Sequence, residues 1–170
     1  MLPDPLHPAI VHFPIVLAVL MHVIALAAAW VIHTGRAPAA AWVAVVAIQL
    51  LVVGSGWLAV ETGEQEEERV ERVVAESPIE DHEEAAERFL ILAAWMLPLA
   101  AVGLLTHRIG AAARGLTVAA SLGLAAAVGF VGHSGGELVY VHGAALAYAQ
   151  PAAGGQSAHW INHDAEEDDD

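Results

Sequence analysis

Ten histidines, with no cysteine and no lysine, set the chemical repertoire of this 170-residue chain. A neutral imidazole is a ligand for transition metals and for haem iron. Seven of the ten (His7, His12, His82, His133, His142, His159 and His163) lie at or beyond the same-side ends of four apolar runs. Imidazoles gathered at one level from different helices suit coordination between helices. The lack of cysteine removes disulfides, zinc–thiolate sites, iron–sulfur clusters and thioether-attached haem from consideration.

Spacing ranks the candidates. At about 1.5 Å of rise per residue, His12 lies one turn inside the first run and His82 two turns before the third. His133 closes the fourth run, and His142 follows just after it. The expected reading is a b-type haem with His12 and His133 as its axial pair, and with His82 and His142 as the alternative or a second pair. Two imidazoles saturate the iron and favour electron transfer over oxygen chemistry. The competing reading is a copper or zinc site drawn from His7, His12, His82, His133 and His142, with Glu61, Asp81, Glu83 and Glu137 available to orient the rings. Gly54, Gly56, Gly123, Gly129 and Gly132 leave room where a porphyrin could pack, or simply let helices approach closely. His22 falls near mid-bilayer, where it would bond between helices or serve function. His33 and His107 sit in short turns, and His159 and His163 in a solvated tail.

The elements that must position these residues are transmembrane helices. No Asp, Glu, Lys or Arg occurs at 5–35, 37–60, 89–107 or 115–136, and about 20 apolar residues cross a bilayer core. Composition agrees, with 57% hydrophobic and 15% charged residues and a mean hydropathy of +0.57, against about a quarter charged in soluble domains. The expected fold is an all-α, integral membrane four-helix bundle in one domain, 1–150. Its spans lie at about 9–32, 39–60, 87–106 and 115–133, with an acidic outer loop at 61–86 and a disordered acidic tail at 151–170. Pro8 and Pro14 fit a first helical turn. Ser77-Pro78-Ile79-Glu80 reads as a capping box that starts the third helix near Pro78, and Pro98 should kink it. His133-Ser134-Gly135-Gly136 reads as a helix stop, followed by a short interfacial helix over 138–149.

The net charge of −14 is localised, with twelve acids at 61–88 and six at 164–170. Without a basic patch, nucleic-acid binding is excluded. Arg36, Arg108 and Arg114 occupy the two short turns, so the positive-inside rule places both termini outside. The N-terminus lacks the basic region and cleavage site of a signal peptide. Ser55 and Ser134 lack the context of a hydrolase nucleophile, and no inverted repeat suggests a transporter.

Leu6-His7-Pro8-Ala9-Ile10-Val11-His12-Phe13-Pro14-Ile15 resembles the opening motif of the DUF2231 membrane protein family. Gly132-His133-Ser134-Gly135-Gly136-Glu137-Leu138-Val139-Tyr140-Val141-His142-Gly143 resembles its closing motif. With the four spans between them, the resemblance covers about residues 6–145. It implies a four-helix prokaryotic inner-membrane protein whose histidines are suspected of binding haem or metal, and it implies no particular reaction. His7, His12, His133, Gly135, Gly136 and His142 match the motifs in place, whereas Glu137 stands where the family often has a hydrophobic residue. The function expected on these grounds is electron transfer between a quinone pool and an outer-face partner. The other expectations are copper or zinc binding, or an accessory subunit of a larger complex or homo-oligomer.

Overall fold

Each charge-free run forms the apolar part of a helical stretch, because an apolar chain in hydrocarbon must satisfy its backbone internally. The computed structural model describes residues 5–149, so the acidic tail with His159 and His163 lies outside the described residues. The helices are α1 (His7–Ile10), α2 (His12–His33), α3 (Val43–Val70), α4 (Glu76–Val102) and α5 (Arg108–Tyr140), with 3-10 turns at Ala39–Trp42 and Ala144–Tyr148. Four helical stretches are long and apolar enough to cross a membrane, the first being α1 and α2 together. In the bundle α2 packs on α3 and α5, and α4 packs on the same two, which makes an up-down ring of antiparallel neighbours.

The inward faces follow a seven-residue repeat. On α4 the inward positions are Ile79, His82, Ala86, Phe89, Ala93 and Met96, and on α5 they continue Ser121, Leu124, Val128, Val131, Gly135 and Leu138. The same alternation of threes and fours runs along α3 through Val45, Gln49, Val52, Gly56, Ala59 and Gly63. This spacing is that of left-handed helix packing, with crossing angles of about 20°. His82, Gly63 and Gly135 therefore occupy seam positions, and His7 stands one repeat before the buried Pro14.

Several boundaries differ from the sequence expectation. The first span is broken at Val11, because Pro14 has no N–H for the Ile10 carbonyl and its ring crowds that oxygen. α4 starts at Glu76 rather than Pro78, behind an extended Ala75, and Ser77 lies inside the helix and caps nothing. Pro78 is tolerated there because first-turn N–H groups have no helical partner anyway. α5 begins at Arg108 and runs unbroken through Gly135 and Gly136 to Tyr140. Its inward Ser134 and Leu138 contacts outweigh the poor helix propensity of glycine, which costs about 1 kcal/mol per residue. The chain turns only at Gly143, where φ is +76°, and one 3-10 turn stands in place of an interfacial helix.

At the arginine-bearing end, Trp42 is fully buried and donates from its indole nitrogen to the Ala100 carbonyl, 2.9 Å away. Arg114 is buried too and donates to the Gly103 and Leu105 carbonyls, closing the end of α4. The opposite end is acidic. There α3 and α4 extend past their apolar stretches, and six acids lie between Glu76 and Arg88 alone.

Candidate functional site

At the acidic end four elements meet: α1, the solvated extensions of α3 and α4, and the last turns of α5. His7 Nδ1 lies 2.8 Å from the carbonyl oxygen of Ala59. A carbonyl only accepts, so Nδ1 carries the proton and the neutral ring keeps its lone pair on Nε2. His82 Nδ1 lies 2.9 Å from Ser134 Oγ. Ser134 gives its one proton to the Val131 carbonyl at 3.1 Å, so it must accept from His82, which fixes the same tautomer. The two rings have centres 6.3 Å apart and planes at 84°.

The pair is held without the help of any charge on the rings. His82 lies about two turns before the apolar part of α4, outside the hydrocarbon. Burial, and after it the neighbouring His7, lower its pKa below the usual histidine value, while the Val131 carbonyl opposes the shift. Neutral imidazole is the form that donates a lone pair to a Lewis acid.

Glu66 fixes the approach of the N-terminal segment. One carboxylate oxygen accepts from the backbone N–H groups of Leu6 (2.9 Å) and His7 (3.2 Å). The other accepts from the Tyr148 hydroxyl. One side chain of α3 thus pins both the first residues of the segment that enters α1 and the 3-10 turn that follows α5. Between them lies a cavity of about 460 Å³ lined by both histidines. Its walls are mainly apolar, including Ala59, Val70, Ile79 and Leu138, and Glu64, Glu67 and Glu83 also contribute to the lining. Ligand pockets typically have this size and apolar character, with a few convergent polar groups.

A family model described as "Predicted membrane protein (DUF2231)" matches residues 3–147, which takes in all four spans and both histidines of the pair. The chain belongs to the DUF2231 family. No curated protein and no solved structure matches it.

The other candidate residues of this DUF2231 protein lie apart from the pair. His12 is exposed, its Nδ1 2.9 Å from the Pro8 carbonyl of its own segment. His133 is exposed as well, with Nε2 3.5 Å from Glu137 on the same helix face. His142 is exposed beyond the end of α5. No ring contact joins any of the three to another histidine among the described residues. Gly56 is a close-packing position against Phe89, whereas Gly54, Gly129 and Gly132 are exposed with open space around them and do not line the cavity. His22, in mid-span, donates from Nδ1 to Ser121 Oγ at 3.0 Å and ties α2 to α5. Among the described residues, no group of three or more His, Asp or Glu is close enough to share an ion.

Sequence spacing singled out His7 and His82 without pairing them, and passed over Gly63, Glu66 and Tyr148. The seven-residue repeat carried the missing signal, since it turns His82 and Gly135 inward and leaves His133 outside.

Proposed function

We propose that this DUF2231 protein is a membrane electron carrier that holds a b-type haem between His7 and His82. The observation that carries the reading is the pair itself: two imidazoles from different helices with both Nδ1 protons committed and both Nε2 lone pairs available. Orienting a ligand imidazole through its other nitrogen is a general feature of metal sites. With ring centres 6.3 Å apart, His7 and His82 are the residues that would hold one metal ion or haem iron between them.

Iron in a porphyrin needs only two ligands from the protein, and two is what the described residues offer. When bound, such a haem supplies a one-electron couple. The chain's part is to hold the rings through Ala59 and Ser134, to exclude water with the apolar walls, and to favour the more positive oxidised state through Glu64, Glu67 and Glu83. The arginines at 36, 108 and 114 support an orientation with the acidic end outside a prokaryotic inner membrane. The site would then stand between a membrane carrier such as a quinone and a partner beyond the outer face. Copper or zinc at the same pair is the second reading, favoured by the two imidazole donors.

The test is an absorption spectrum of the detergent-purified protein, oxidised and dithionite-reduced, with metal analysis of the same sample. A Soret band with sharp reduced α and β bands, lost in His7→Ala and His82→Ala but kept in His12→Ala and His133→Ala, is the expected result. Loss in the latter two with retention in the former would move the site back to the exposed pair. Stoichiometric copper or zinc without a Soret band would establish the second reading. A colourless, metal-free protein would overturn both and leave an accessory membrane subunit.

A further inference from the structure

We propose that Gly63 and Gly135 are positioning residues of the histidine pair, each forming a seat on which one imidazole rests. The inference builds on the reading of that pair as a ligand site and says how the fold aims it. A Cβ added at Gly135 would stand 3.0 Å from His82 Cε1 and 3.6 Å from both ring nitrogens. A Cβ added at Gly63 would stand 3.2 Å from His7 Cε1 and 3.3 Å from Nδ1. Unstrained carbon contacts fall at about 3.5–4.0 Å, so either methyl group must displace the ring.

The two seats share one design. On α3, the carbonyl of Ala59 accepts the His7 Nδ1 proton and Gly63, one turn later, lies against the ring edge. On α5, Ser134 accepts the His82 Nδ1 proton and the adjacent Gly135 lies against the ring edge. In both cases the acceptor and the glycine belong to one helix and the imidazole to another. A methyl group on the seat therefore pushes the ring off the helix that holds its proton and lengthens the bond fixing its tautomer. Both glycines occupy inward positions of the seven-residue repeat and line the cavity, so a ring pushed off its seat moves into the cavity and away from its acceptor. Gly136, next in the chain, has open space where its Cβ would be and makes no such contact.

Thermal unfolding of the full-length protein in detergent, without added haem, tests the seats by double-mutant cycles. Gly135→Ala should lower the midpoint although alanine is the better helix former, and should cease to do so in a His82→Ala background. Gly63→Ala should behave likewise and be relieved by His7→Ala. The crossed combinations, Gly135→Ala with His7→Ala and Gly63→Ala with His82→Ala, should show no relief, and Gly136→Ala should not lower the midpoint. Where a single variant does not fold, recovery of folding in its matched double variant is the same expected result. Equal losses at 135 and 136, or failure of the matched histidine to relieve the loss, would overturn the proposal.

Added haem then separates the two readings. If the wild type binds it, Gly63→Ala and Gly135→Ala should weaken affinity by about 10–100-fold, the range found for groups that orient metal ligands, and should alter the reduced α band, while Gly136→Ala matches wild type. Unchanged affinity and spectrum in the two seat variants would overturn the positioning role even if the unfolding cycles held. If the wild type binds no haem, the haem reading fails while the unfolding cycles still decide the seats.

Discussion

Ser134 is the acceptor on which the orientation of His82 depends. In Ser134→Ala the Nδ1 proton faces a methyl group, and a partly buried donor without a partner costs about 1–2 kcal/mol. The expected outcome is a lower thermal midpoint and a His82 ring free to turn, with Ser134→Thr restoring both; calorimetry together with imidazole 15N signals checks it. The lowered pKa of His82 gives a second prediction at this scale. The unfolded chain binds a proton at the ordinary histidine pKa of about 6.5, whereas the folded site binds it only at lower pH. This residue therefore contributes nothing to the pH dependence above that value and destabilises the fold progressively as pH falls below it. Unfolding midpoints measured from pH 7.5 to 5 should fall more steeply in wild type than in His82→Gln. Counting residues gave the depth of every histidine, because rise per residue is fixed, but depth is only one coordinate. His12 and His7 are five residues apart across a proline-induced break, and His133 is one residue from Ser134, a rotation of about 100° in a helix of 3.6 residues per turn. That rotation separates an exposed ring from a seat for a buried one.

Among the elements, the α4–α5 turn at the arginine end tolerates the least change. A Cβ at Gly103 would meet the Trp42 indole nitrogen at 2.3 Å, and the indole is fully buried with its N–H committed to Ala100. Gly103→Ala should therefore destabilise by about 1–3 kcal/mol, the usual cost of overpacking a closed core. Gly115→Ala, with open space around it, should be neutral or mildly stabilising in the same melts. The spans themselves were legible because the bilayer penalises charge so heavily that 18-residue windows without it stand out. Their ends were less so. Ser77-Pro78-Ile79-Glu80 has the composition of a capping box, yet the helix already exists at Glu76. The paired glycines 135 and 136 have the composition of a stop, yet seam contacts carry the helix past them. Local chemistry proposes such boundaries, and packing many residues away in sequence decides them.

For the whole molecule, charge and architecture agree on a polar axis: arginines close one end of the ring of helices, and acids crowd the other. The chain has no native cysteine, so single cysteines report on sidedness without background. In intact cells Ser77→Cys, exposed in the first turn of α4, should react with a membrane-impermeant maleimide. Thr106→Cys, exposed in the α4–α5 turn, should react only after lysis. The reverse pattern would invert the orientation and place the histidine pair on the cytoplasmic face.

The geometry of the pair also fixes a timetable. His7 is bonded to a residue 52 positions later, and His82 to one a further 52 positions beyond itself. During synthesis the seat of His7 exists only once the second span is made, and the seat of His82 only once the fourth is made. A nascent chain with three spans in the bilayer has both imidazoles and the seat of His7 but lacks the seat of His82. If the proposed group binds between the two rings, its loading would wait for the helix that carries Ser134 and would report that this helix has arrived.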